Sequence, residues 1–273
     1  MNLGNKKRIV LADFSPAGST RKIGIHLAGK LSAASGILWA HRPFTLPGQR
    51  TQALTFDENA WVILAMPVYA GRIPSLLLPY MAQMKGEGAK AFLLNTYGNR
   101  DYDDALREME ALSIHAGMTV VGGAAIVTRH VFSDVIAKGR PDEKDLQAID
   151  RQIPRIYEAF LRGNPVTMPG NEELSYYKPT GEDGESVNMI QVKPSTKPGC
   201  IRCLQCVRSC PLGSIDEDDP TYVPGKCMKC CSCVLACPLK LKHFDDPGFL
   251  SHKKALEEKL VERREPEFFL PSV

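Results

Sequence analysis

Arg8-Ile9-Val10-Leu11-Ala12-Asp13-Phe14 runs directly into Ser15-Pro16-Ala17-Gly18-Ser19-Thr20, and the join between these two stretches decides how the chain is read. A short, nearly unbroken apolar run is the form taken by a strand buried on both faces, as in parallel sheets. A helix-like segment, Thr20 to Ala34, follows at once, so the unit is strand, tight loop, helix. Working outward, apolar runs recur at Gly36 to Ala40, Trp61 to Met66, Ala89 to Thr96 and Thr119 to Val127. Helices are expected between and after them, at Pro74 to Gln83, Asp101 to His115 and Asp142 to Leu161, with Pro154 kinking or splitting the last. This alternation predicts an α/β fold with a five-stranded parallel sheet.

The chain has 273 residues, 44% hydrophobic and 24% charged, which implies a packed core rather than disorder. Its formal charge of +3 is too small to suggest nucleic-acid binding by electrostatics. No apolar run approaches the roughly 20 residues of a membrane span. Lys6, Lys7 and Arg8 precede Ile9 to Ala12, but Asp13 interrupts before a secretory core of about 7 to 15 residues can form. A reducing cytoplasm is therefore the expected location, and the nine cysteines read as metal ligands or redox groups rather than disulfides.

All of those cysteines lie between Cys200 and Cys237. Cys200, Cys203, Cys206 and Cys210 with Pro211 form one run, and Cys227, Cys230, Cys233 and Cys237 with Pro238 repeat it 27 residues later. Three thiolates spaced this closely can wrap three corners of an iron-sulfur cube, while the fourth ligand must arrive from elsewhere. Two structural zinc sites are the alternative, but those favour two CxxC pairs separated by a longer span. Residues 196 to 240 resemble the bacterial 2[4Fe-4S] ferredoxins. The resemblance implies that Cys200, Cys203, Cys206 and Cys237 hold one cluster and Cys227, Cys230, Cys233 and Cys210 the other. Cys231, which matches Leu204 in the repeat, is expected to be an apolar filler. The segment departs from the many acidic ferredoxins, with six basic residues against four acidic ones over 196 to 240.

The loop after the first strand offers backbone N–H groups at a helix start, short hydroxyls and a glycine, which suit a phosphate. It has neither a Walker lysine nor GxGxxG, so a phosphate monoester fits better than a triphosphate or dinucleotide. Ser15, Ala17, Gly18, Ser19 and Thr20 resemble the FMN-phosphate loop of flavodoxins, with Ala17 standing where a hydroxyl is common. In such a sheet the ligand sits outside the carboxyl ends of the strands. Two further loops leave those ends: Pro67, Val68, Tyr69, Ala70 and Gly71 with Arg72, and Asn95, Thr96, Tyr97, Gly98 and Asn99 with Arg100. They offer aromatic faces and close backbone approach to isoalloxazine. Tyr102, Arg129 and His130 are further candidates.

The expected organisation is a flavodoxin-like domain over 1–162, a linker with room for a hairpin over 163–195, a ferredoxin domain over 196–245, and a helix and tail over 246–273. The last helix is expected from Ser251 to about Arg264, and Phe268-Phe269-Leu270 reads as a strap on the body or a partner contact. The whole chain resembles the flavodoxin/ferredoxin fusion proteins called EFR-type ferredoxins. That resemblance implies FMN, two [4Fe-4S] clusters and electron transfer to a redox protein or a small-molecule acceptor. Its competitors are a flavin-dependent reductase acting beside Tyr69, Tyr97 and Tyr102, and a redox sensor. No acid-base constellation for substrate protonation is evident in the sequence.

Overall fold

A computed structural model describes residues 7–272; Lys6, one of the basic residues before the first strand, and Val273 lie outside that range. In chain order the elements are β1 (Arg8–Asp13), α1 (Ser19–Ser35), β2 (Trp39–Pro43), β3 (Ala60–Pro67), α2 (Leu78–Met81), β4 (Lys90–Tyr97), α3 (Ala105–His115), β5 (Thr119–Val127) and α4 (Glu143–Arg162). There follow β6 (Ser195–Thr196), α5 (Gln205–Ser209), α6 (Ser232–Ala236), β7 (Lys242–His243), α7 (Pro247–Lys259) and β8 (Glu267–Phe269).

The first five strands pair in parallel in the order β2-β1-β3-β4-β5, so the winding reverses between β1 and β3. That reversal opens a crevice beyond the carboxyl ends of the strands, the usual ligand position in open α/β sheets. Alternate residues of each strand feed opposite faces. Ile9, Leu11, Ile63, Phe92 and Leu94 pack with α1 and α4, and Trp61 stacks on Phe160 at 4.8 Å between ring centroids. Val10, Ala12, Val62, Leu64 and Leu93 pack on the other face with Leu106 and Met109 of α3. Both faces are therefore dry, as the unbroken apolar runs required.

The sheet has six strands rather than five. Strand β8 pairs antiparallel with β5, Gly123 opposite Phe269 and Ala125 opposite Glu267. The apolar tail is thus a strap, and three residues are too few for a period-2 pattern to reveal a strand. Strand β2 begins three residues later than expected, because Gly36 is taken as the left-handed cap of α1, at φ 71°. The helix expected from Pro74 shrinks to a turn at Ser75–Leu77 followed by the short α2, where Pro79 lacks a backbone donor. Pro154 does not split α4: it faces solvent, while Ile149, Ile153, Ile156 and Phe160 anchor the buried side. Helix α7 starts at Pro247 rather than Ser251, since Asp246 accepts the Phe249 N–H at 2.9 Å and Pro247 suits the first helical position. The linker's hairpin is reduced to one bridge, Thr180 with Ser186. Among the described residues no helix is long and apolar enough to cross a membrane.

Candidate functional site

At the carboxyl ends of β1, β3, β4 and β5 lies a cleft of about 1090 Å³, its open mouth included. One end is the loop before α1. Gly18 adopts φ 84°, no side chain caps the helix and no acidic residue lies in its first turn, so an anion there meets amides and a positive helix end. Buried Asp13 holds the loop from below, taking bonds from Arg21 Nε at 2.9 Å and His41 Nε2 at 3.0 Å. The Thr20 and Thr96 hydroxyls lie 2.6 Å apart, tying the loop to the end of β4.

Of the sequence candidates, Ala17, Ser19, Thr20, Pro67, Val68, Tyr69, Ala70, Gly71, Thr96, Tyr97, Gly98, Arg100 and Arg129 line this cleft together. Ser15, Gly18, Asn95, Asn99 and Tyr102 do not line it. The Ser15 hydroxyl accepts the Arg21 N–H at 2.9 Å, and Gly18 shapes the turn from behind. Asn95 points into the core, donating to Met66 O at 3.1 Å. Asn99 donates to the carbonyls of Leu260 and Glu262, and Tyr102 to Glu267 at 2.9 Å, so both secure the chain around β8. Tyr97 is 2% exposed and meets Tyr102 edge-on, which leaves Tyr69 as the better-placed aromatic of the two loops. Arg72 pairs with Glu108 instead of facing the cleft.

The remaining walls come from places the sequence did not single out: Tyr177, Pro179 and Met189 from the linker, Met228 and Lys229 from the second cysteine run, and His252 and Leu256 from α7. Tyr177 is fixed by its N–H to Ala70 O at 2.9 Å and by the Arg100 guanidinium 4.1 Å over its ring. His130 also lines the cleft, with Nδ1 accepting the Phe132 N–H at 3.2 Å. Burial, with His252 and Arg100 nearby, pushes its imidazole down to about 4. An apolar Met or a helical His carries no sequence signal for a wall that forms only when distant segments converge.

The cysteines fold into two smaller cavities. Cys200, Cys203, Cys206 and Cys237 line one of about 310 Å³, here called the outer cavity. Cys210, Cys227, Cys230 and Cys233 line the other, of about 370 Å³, here called the inner. Each run therefore supplies three sulfurs to one cavity and one to the other. The 27-residue repeat holds in the backbone too: left-handed Arg202, Leu204 and Gly213 recur as Lys229, Cys231 and Lys240. Matching amides point at the crossing sulfurs, Ser214 N to Cys210 Sγ at 3.3 Å and Leu241 N to Cys237 Sγ at 3.2 Å. Burial raises the Cys206, Cys227, Cys230 and Cys233 thiols, the last to about 12. Among the described residues no three His, Cys, Asp or Glu groups converge at the spacing of a single bound ion.

Met228 is a wall of both the cleft and the inner cavity. Tyr69 lines the cleft but not the inner cavity; burial raises its phenol well above the ordinary value, with Cys230, Cys231 and Cys227 adding to the effect.

No protein-family model matches the chain, and no curated protein matches it. Among solved structures, a flavodoxin from Streptococcus pneumonia TIGR4 aligns at 16% identity and TM-score 0.38, covering 58% of this chain and 99% of its own. A flavodoxin from the domain Archaea aligns at 16% and 0.38, covering 57% and 99%. An azoreductase from Bacillus anthracis str. Sterne aligns at 11% and 0.33, covering 58% and 99%. Likenesses this distant carry no weight for function, which rests on the cleft and the cysteine cavities.

Proposed function

We propose that the chain is an iron-sulfur flavoprotein that relays electrons between FMN in the cleft and two [4Fe-4S] clusters in the cysteine cavities. The observation that carries this reading is Met228, a wall shared by the cleft and the inner cysteine cavity. Bound there, FMN would exchange electrons singly or in pairs and each cluster one at a time, so together they would convert between the two regimes.

The residues present suit both groups. The uncapped start of α1 would hold the phosphate through the amides of Ser19 and Thr20. The loops carrying Gly71 and Gly98 would let the backbone approach the ring, with Tyr69 beside it. Donor sets made only of thiolates suit iron-sulfur or zinc. Structural zinc sites favour two CxxC pairs separated by a longer span, whereas each cavity here takes three closely spaced sulfurs from one run and one from the other. The domain division 1–162, 163–195, 196–245 and 246–273 belongs to this proposal, as do a redox protein or small acceptor as partner.

Anaerobic purification followed by an absorption spectrum and iron, sulfide and flavin analysis tests it. About eight Fe and one FMN per chain are expected, from two four-iron sites and one phosphate loop. A colourless, zinc-only protein, even when prepared with ample ferrous salt, overturns it. Stripping FMN should block transfer to a flavin-dependent acceptor while leaving cluster reduction intact.

One observation favours a second reading, reduction of a small organic substrate. The cleft extends past the strand-end loops to Phe132, Met189, His252 and Leu256, and the Nδ1 bond of His130 leaves Nε2–H as its donor. Turnover of a quinone by the dithionite-reduced protein, lost in His130→Gln, would support it; no turnover would remove it.

A further inference from the structure

The outer and inner cavities correspond wall by wall through the 27-residue shift. Cys200, Cys203, Leu204 and Cys206 match Cys227, Cys230, Cys231 and Cys233, and Cys237 and Leu241 match Cys210 and Ser214. The Leu241–Ser214 pair differs in polarity, but the Ser214 hydroxyl donates to Lys226 O, and Lys226, a lysine on the inner wall, is exposed. Two more pairs differ in charge and polarity. The inner cavity has Val223 and Ile215 where the outer has Thr196 and Lys242.

Thr196 and Lys242 are register partners in the β6–β7 pair. Lys242 is 3% exposed, and neither its Nζ nor the Thr196 hydroxyl has a hydrogen-bond partner among the described residues. Other buried charged groups among the described residues have partners: Asp13 pairs with Arg21, Glu108 with Arg72 and Asp145 with Arg140, while Asp104 accepts N–H bonds from Asn171 and Ser175. Asp219 feels the Lys242 charge but spends its bonds on Thr221. An ammonium taken out of water without an anion is strongly unfavourable, so this one implies negative charge inside the outer cavity. An oxidised four-iron cluster with four thiolates carries about −2, and reduction adds one more.

We propose that Lys242 and Thr196 hold the outer [4Fe-4S] site at a higher reduction potential than the inner one, so that an electron entering from the flavin cleft comes to rest on the outer site. This rests on the cluster reading above. A buried cation and an uncommitted hydroxyl favour the more negative, reduced state; Ile215 and Val223 offer the inner site neither, its Lys226 is exposed and its Ser214 hydroxyl already donates to Lys226 O. In the transfer the inner site loses one electron and the outer gains it; no bond forms or breaks and no proton moves. The Lys242 charge also acts on Cys206 of the outer set and Cys233 of the inner set. The difference between the sites therefore comes from which cavity it walls, and from Thr196.

The test is a redox titration of the full-length, iron-loaded protein followed by electron paramagnetic resonance, with iron counted first. In the native chain the two one-electron steps should differ by at least about tenfold in the constant for sharing an electron, ~59 mV. Lys242→Met should lower the higher step and narrow the gap, Thr196→Val should move it less in the same direction, and Lys242→Arg should keep it. Eight irons with two indistinguishable steps in the native chain would overturn the proposal. So would Lys242→Met with eight irons and an unmoved upper step. If Lys242→Met loses iron, Thr196→Val decides, and an upper step that does not fall counts against the proposal. A native chain without iron overturns the cluster reading itself, and the iron count tells the two failures apart.

Discussion

At the end of β5, His130 is held neutral in a wall of the cleft, its imidazole lowered to about 4 by burial, His252 and Arg100. In the unfolded chain the same ring takes a proton near 6.5. The unfolded state therefore binds more protons between those values, and stability falls as pH drops from about 6.5 to 4, levelling below. Burial lowers His252 as well, which adds in the same direction. Urea denaturation across that window should show a shallower decline in His130→Gln; an identical slope would mean the ring is not held neutral. Tyr97 has a buried hydroxyl with no partner, and burial raises it to about 12. Tyr97→Phe should leave the ligand-free protein as stable or up to about 1 kcal/mol more stable, because an unpaired buried hydroxyl contributes only its desolvation cost. A drop in melting temperature would reveal a bond to that oxygen. The grouping of the eight spaced cysteines into two cavities was legible in the sequence because the 27-residue repeat carries the same backbone turns twice. Met228 and Lys242 were not, since one looks like core and the other like surface until the chain folds.

Among the elements, β8 makes the clearest demand on its neighbour. A Cβ on Gly122 would stand 2.9 Å from Leu270 Cδ2 and from Phe269 O, so only a glycine lets the tail lie this close to β5. Gly122→Ala should cost about 1–3 kcal/mol through the shift it forces; a native-like denaturation midpoint would show that the tail is not pressed there in solution. At the start of α4, Asp142 accepts the Asp145 N–H at 3.1 Å and pairs with Arg263 at 2.7 Å. The Arg263 bond keeps its carboxyl well below the ordinary range, so the contribution is present above about pH 4 and fades on acidification. Asp142→Ala should lose about 1 kcal/mol of capping, while Asp142→Asn should retain most of it at neutral pH. The long strands and α4 were readable because their runs were long or periodic. β8, α2 and the α7 boundary were not, since short elements are fixed by contacts and caps rather than by pattern.

For the molecule as a whole, the parallel sheet and its crevice followed from the alternation of buried runs and helices. The enclosure of that crevice did not, because its outer walls arrive from the linker, the second cysteine run and α7. A ligand seated among so many segments stabilises all of them together. FMN added to the flavin-free protein at a hundred times its dissociation constant should raise stability by about 2.7 kcal/mol. A melting curve indifferent to FMN would exclude the cleft as its site.

Strand β8 lies beyond the cysteine runs in the chain yet completes the sheet that β1 began. The cysteine-rich segment is therefore an insertion joined at both ends to one sheet. During synthesis the first five strands are made before any cysteine, and the flank of β5 stays bare until after Cys237. The cysteine segment can then fold against a partly finished scaffold, with the final strand sealing the seam afterwards.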